Sequence, residues 1–428
     1  MKKREDQIVN KPEVSSTSGS CLFYGYIVVA AALLIIILDY GSRLTIGVFF
    51  KPILEEFNWS RGLTSGAVTL SMLGQGTGAI IMGRLNDRLG PRFVMTLCGC
   101  LLGVGYLLMA IIHSVGQLYF FYGIIVGIGM SGAFAALLST VARWFVKRRG
   151  LVAGIVAGGT GIGQLVAPPI TNLLISTYDW RLSYILMGGA VLVAGVVLAQ
   201  FLKRDPGQMG LVPYGSDQIE KSKSSSSSRG ITVKQAMHTQ QYWLLMGAFF
   251  SLGYILMAIS THLVPHITDI GISAMAAANI FALCGLFLAI GCIALGAIND
   301  RLGNKRSLII YFFIMAAALF WLTQLSSTWQ FVSFAVLFGL STGGSVPIES
   351  NILVDLFGIR SHGSILGTIT FGFACGGALG PFLTGFLFDL TGSYGLGFLV
   401  CAIMASIGLI SCANLRPTKK LIFESVAD

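Results

Sequence analysis

A ten-residue phrase occurs twice in this chain, as GRLNDRLGPR from Gly83 to Arg92 and as GAINDRLGNK from Gly296 to Lys305. The offset of 213 positions is close to half of the 428 residues, so the chain reads as a duplicated structure. The same register pairs Pro52 with Pro265, Ser60 with Ser273, Gly150 with Gly363 and Pro168 with Pro381. Each phrase lies between two apolar runs and carries a carboxylate among cations, the pattern of a helix–helix connector repeated once per half.

Composition says where such a duplicated chain lives. Apolar residues make up 54% and charged residues 11%, with a mean hydropathy of +0.79, whereas a soluble domain carries roughly 25% charged residues. The expected fold is an all-α membrane protein, because runs of about 20 apolar residues cross a ~30 Å hydrocarbon core only as helices. Twelve runs are readable, at 23–51, 62–83, 93–112, 117–142, 151–176, 182–202, 241–266, 275–297, 307–325, 329–354, 364–388 and 395–414. They imply two pseudo-symmetric six-helix halves, residues 23–202 and 241–414, with a tail at 1–22, a linker at 203–240 and a second tail at 415–428. The linker contains KSKSSSSSRG, flexible by composition and long enough to join two bundles without coupling them rigidly.

Orientation follows from the cations. With the N-terminus inside, 24 of the 28 Lys and Arg residues fall in inside segments, leaving Arg43, Lys51, Arg61 and Arg181. This bias predicts both termini cytoplasmic in the inner membrane. It also explains the net charge of +10 without a nucleic-acid partner. Residues 1–20 lack an apolar run, so no cleavable signal is expected. Neither cofactor, metal nor nucleotide is expected: the eight cysteines show no CxxC or ligand spacing, and the chain has no phosphate loop and no nucleophile with its base. It is therefore read as a non-enzyme, whose partners are the bilayer and a transported solute, functional as a monomer.

Glycine is abundant within the fifth run, at Gly150, Gly154, Gly158, Gly159, Gly161 and Gly163, and within the eleventh, at Gly372, Gly376, Gly377, Gly380 and Gly385. Small residues at this spacing let backbones approach closely in lipid. The two runs are expected to pack across the interface between halves, either sliding there or simply packing tightly.

The loop phrase, of the form G-x-x-x-D-R-x-G-x-R/K, resembles that of the major facilitator superfamily. Within it the chain is similar to the monocarboxylate porters, and to the related oxalate and formate exchangers. The resemblance rests on YGSRLTIGVFFK (Tyr40 to Lys51), WFVKRRGLVAGIVAGG (Trp144 to Gly159), NILVDLFG (Asn351 to Gly358) and GPFLTGFLFDLTGSY (Gly380 to Tyr394). It implies a secondary transporter that alternates access to a small organic anion, lactate-like or pyruvate-like, with proton symport. An exchanger or facilitator for another organic anion or an amino acid stays open beside it. A sensor with a transport fold is the remaining class, and the short tails argue against it.

Ionisable residues at membrane depth are costly enough to be functional candidates. Arg43 leads, four residues after Asp39 on one helical face and able to pair with it, or to take a substrate carboxylate in bidentate fashion. The porters it resembles carry an essential lysine that, aligned on VFF, falls on Leu44, next to Arg43. Asp39 and Glu349, the latter two residues after the break expected at Pro347, are candidate proton carriers. Glu349 reads equally as a carboxylate satisfied by loop cations. His262 either donates to the substrate or caps the outer end of its helix, and Tyr40 and Tyr122 are either pocket donors or packing residues. In the loops, Asp87 and Asp300 are expected against a helix N-terminus, with Arg88, Arg92, Arg301 and Lys305 tied to carboxylates such as Asp355, as a cytoplasmic gate. The eighth run carries no charge, where the monocarboxylate porters carry an Asp and Arg pair. Arg43 is then the one midplane cation, which argues for a single substrate carboxylate.

Overall fold

A computed structural model describes residues 23–145, 149–214, 231–345, 348–358 and 362–416. Among them the chain is almost entirely helical, and the helices group into twelve successive segments. The first six are α1 (Tyr24–Leu44) with α2 (Ile46–Phe57), α3 (Arg61–Leu89), α4 (Pro91–Met109), a broken fourth segment, α8 (Arg149–Thr177) and α9 (Trp180–Gln200). The fourth segment runs through α5 (Val115–Leu118), a π-helical stretch (Tyr119–Val126), α6 (Gly127–Gly129) and α7 (Ala133–Trp144). After a short α10 (Val233–Met237) come α11 (Gln240–Asp269), α12 (Ala274–Leu302), α13 (Asn304–Leu322), α14 (Thr328–Ser345) with α15 (Ile348–Phe357), α16 (His362–Thr391) and α17 (Gly395–Asn414). By length and composition, nine helical spans among the described residues can cross a membrane.

The repeated phrase has a local cause. Gly90 and Gly303 end α3 and α12 with φ of 85° and 84°, a region that side-chain-bearing residues enter only under strain. In each copy the glycine N–H donates to the carbonyl four residues back, of Asn86 at 3.0 Å and of Asn299 at 2.9 Å. The next helix starts at once, at Pro91 and Asn304. Ser60 and Ser273 likewise match as N-caps, each hydroxyl accepting the N–H of the residue three positions on.

The linker is anchored at equivalent points. Tyr214 N donates to Trp144 O at 2.9 Å and Ile231 N donates to Phe357 O at 3.0 Å, and Trp144 and Phe357 stand 213 positions apart. The serine-rich stretch expected to be flexible, 215–230, lies outside the described residues, as do the tails 1–22 and 417–428 and the break expected at Pro347.

The two glycine-rich helices pack across the interface between halves, as expected, and they pack closely within their own halves as well. Cross-interface contacts do run from α8 to α12 and from α16 to α3, yet most of the named glycines face neighbours from their own six segments. Gly159 and Gly163 abut α1, while Gly376 and Gly380 lie against the Phe250 and Tyr254 carbonyls of α11. Across the interface, Gly161 meets Gly285, and Gly385 meets the start of α3 at Arg61 and Ser65. The reason is geometric: small residues on more than one face of a helix let it approach a same-half partner and an opposite-half partner closely at once.

Candidate functional site

The first span breaks at Thr45, beside Arg43. Ser42 Oγ donates to Asp39 O at 3.0 Å and Thr45 Oγ1 to Ser42 O at 2.6 Å, back-bonding that bends helices. Pro52, about two turns further on, cannot complete the helical ladder. The bend leaves Arg43 near the midpoint of the combined span, 6% exposed. Its Nη2 lies 3.0 Å from Met72 Sδ on α3 and 3.2 Å from Met257 Sδ on α11, so the guanidinium bridges the first six segments to the last six. Its carbon sits 5.6 Å from the Tyr40 ring centroid.

Asp39 and Arg43 do not pair. Among the described residues the ion pairs lie elsewhere, and both Asp39 Oδ2 and Arg43 Nε are buried without a hydrogen-bond partner. The other three cations left over by the orientation count are neutralised. Lys51 and Arg61 reach Asp269 at 3.2 and 2.7 Å, and Arg181 reaches Glu56 at 2.5 Å.

His262 is fully buried, away from Arg43 and toward the end of the bundle opposite the repeated phrases. Its Nε2 lies 2.8 Å from Pro381 O and 3.3 Å from Ser65 Oγ, and its Nδ1 lies 3.2 Å from Tyr394 OH. It belongs to a latch. Asp389 accepts Arg61 N at 2.9 Å and Gly62 N at 2.7 Å, capping α3 from the other half in addition to Ser60. Arg61 also donates to Tyr394 OH and lies over the Phe388 ring at 3.8 Å. Among the described residues, the hydrogen bonds joining the two sets of six segments run from mid-height to this end.

Glu349 opens α15, half-buried, with Thr370 Oγ1 of α16 at 3.5 Å, and lies within electrostatic reach of Tyr40. Tyr122 sits in the π-helical stretch, buried in an aromatic cluster with Phe49, Tyr106 and Tyr184, within electrostatic reach of Arg43. The wider π turn lays Gly127 on the backbone of Ser71, one residue before Met72; such turns are frequent at functional sites.

The repeated loops are separate from this cluster. Residues 32–320 and 269–425 match the family model of the Major Facilitator Superfamily. The chain belongs to the major facilitator superfamily. It is 26% identical to monocarboxylate transporter 12 of Mus musculus over 425 residues, spanning 93% of this chain and 86% of that one. It is 28% identical to monocarboxylate transporter 11 of Homo sapiens, spanning 88% and 80%. It is 27% identical to the uncharacterized MFS-type transporter YcxA of Bacillus subtilis, spanning 86% and 89%. The fold matches the crystal structure of a bacterial homolog to the human lysosomal transporter Spinster in its inward-facing, unoccupied conformation. That match has a TM-score of 0.67 at 19% identity, over 96% of this chain and 94% of that one. This superfamily member is thus a multi-pass membrane transporter, a non-enzyme class.

Among the described side chains, the gate residues read from the loops do not pair with one another. Arg92 Nε donates to Gln200 Oε1 at 2.7 Å, and Asp355 accepts Asn304 Nδ2 at 2.7 Å. Arg88, Arg301 and Lys305 are not in ion pairs among the described residues, and the side chains of Asp87 and Asp300 lie outside them. Sequence reasoning missed Arg61, Asp269 and Tyr394 as latch residues, and Met72 and Met257 as the partners of Arg43. Arg61 carried a usable signal, being one of the four leftover cations.

Proposed function

We propose that this protein is a secondary active transporter for a small monocarboxylate, lactate-like or pyruvate-like, working by alternating access with proton symport. One observation carries the reading: Arg43 is a buried guanidinium whose hydrogen-bond acceptors are two thioethers. A buried charge without a counter-ion costs several kcal/mol, and a thioether is a weak acceptor. An entering carboxylate offsets that cost with bidentate, charge-assisted hydrogen bonds.

Asp39, buried one turn away, and Glu349, beyond Tyr40, are the carboxylates that take the accompanying proton, and Tyr40 flanks the bound anion. The six-helix bundles 23–202 and 241–414 rock about this level, joined by the 203–240 linker. The far-end latch then belongs to an inward-facing state, with both termini in the cytoplasm and the monomer as the working unit. The relatives named as monocarboxylate transporters support the substrate class.

Internal pH of proteoliposomes, followed during addition of lactate, pyruvate, acetate or oxalate against protein-free vesicles, tests the proposal. Excess acidification by wild type that is lost in Arg43→Ala supports it. Exchange of a labelled acid without acidification replaces symport by the exchanger reading.

A further inference from the structure

Arg43 Nη2 is met by one methionine from each half, while the polar groups nearest the guanidinium are the Asp39 carboxylate, one turn away, and the Tyr40 ring. Met72 and Met257 are 2% and 7% exposed, and with Ala378 they form a small apolar cluster of their own. Gly377 leaves room for both side chains, since a Cβ there would stand 3.0 Å from Met257 Cγ and 3.6 Å from Met72 Sδ. Three serine and threonine hydroxyls close to the two methionines are engaged with backbone carbonyls. Thr69 Oγ1 donates to Ala378 O at 2.5 Å, and Ser260 Oγ and Thr261 Oγ1 donate to Met257 O at 3.0 and 2.9 Å.

We propose that Met72 and Met257 are the specificity-determining residues of the Arg43 site, an inference that rests on the anion-anchor reading above. Before substrate binds, the two sulfurs both hold the guanidinium at Nη2. A carboxylate displaces them from Nη2, and the flexible thioether chains then close on the hydrocarbon part of the same molecule, as unbranched, polarizable side chains do. The site accepts one carboxylate followed by a short uncharged tail. A second carboxylate finds no second unpaired cation beside Arg43 among the described residues, meets the Asp39 carboxylate instead, and is rejected by its own desolvation. Because the sulfurs come from opposite bundles, the tail is read only where both halves meet.

The test compares butyrate with succinate, of equal carbon number, as competitors of labelled pyruvate or lactate uptake into proteoliposomes. Wild type is expected to favour butyrate by about tenfold or more. Met72→Gln and Met257→Gln should each cut that ratio by about tenfold, while Met257→Leu keeps it within about threefold. Should a glutamine variant fail to fold, Met257→Ala serves in its place, because the space it opens should shift preference toward hexanoate. Two results overturn the proposal: glutamine variants that weaken both acids by one common factor, or a wild type without preference. Failure of the anchor reading looks different, since Arg43→Ala would then bind both acids as wild type does.

Discussion

Asp389 caps α3 at Gly62, although 327 residues separate the two: its carboxylate accepts Gly62 N at 2.7 Å, with Arg61 N beside it at 2.9 Å. A capping oxygen is normally supplied by the residue before the helix. Here Ser60 does that in cis, and the second cap crosses between the halves. Breaking it therefore acts on the closure of this end rather than on helix formation.

Asp389→Ala should weaken the closed far end by about 1 kcal/mol, the usual worth of a cap, and so shift the population about fivefold toward an open far end. Spin labels at Asn58 and Ile270, both exposed at this end, should report a longer distance component in the variant. An unchanged distance distribution would mean that the latch does not set the conformation.

The two candidate proton carriers should be separable from the anion anchor by function. Replacing the proton carrier, Asp39→Asn or Glu349→Gln, should abolish accumulation driven by a pH gradient while leaving acid-for-acid exchange within a few-fold of wild type, because exchange moves no net proton. If both variants still accumulate acid against its gradient, neither residue is the carrier.

Gly285 and Gly154 make a matched pair for the interface. A Cβ at Gly285 would stand 2.6 Å from Gln164 Cβ and 2.7 Å from Gly161 O, whereas at Gly154 nothing lies within 4 Å. Gly285→Ala should lower both the melting temperature and the transport rate, since it pushes α12 off α8. Gly154→Ala should be neutral or stabilising by up to about 1 kcal/mol through helix propensity. Equal effects on melting would count against the close crossing.

Gly90→Ala and Gly303→Ala should cost the same, about 1–3 kcal/mol each, because both residues hold a backbone conformation that only glycine adopts freely. Thermal unfolding of the purified variants reads this directly, and a neutral alanine at either position would contradict the shared role.

Much of the fold was legible in the chain because duplication writes each structural device twice. Gly90 with Gly303 and Ser60 with Ser273 are a helix stop and a helix start in both copies. Arg43 was visible as a charge at membrane depth. Pairing with Asp39, one of the two readings for it, is not seen in this structure, since nearness along a helix permits contact without requiring it. The actual partners are sulfurs, which carry no polarity signal in a sequence, and one of them lies 214 residues away. The latch was hidden for the same reason: Asp269, Asp389 and Tyr394 converge on Arg61 only once the two halves are docked, and the internal repeat relates equivalent positions rather than touching ones.

The central claim is that Arg43 binds the substrate carboxylate, and equilibrium titration of the transported acid into purified protein tests it most directly. Arg43→Ala should lose at least about 2 kcal/mol of binding, the usual cost of truncating one partner of a buried charge pair. Arg43→Lys should recover part of that while lacking the bidentate geometry. Arg181→Ala, which removes a cation paired with Glu56 within the first six segments, should bind as wild type does. An affinity in Arg43→Ala equal to that of wild type and of Arg181→Ala would contradict the account.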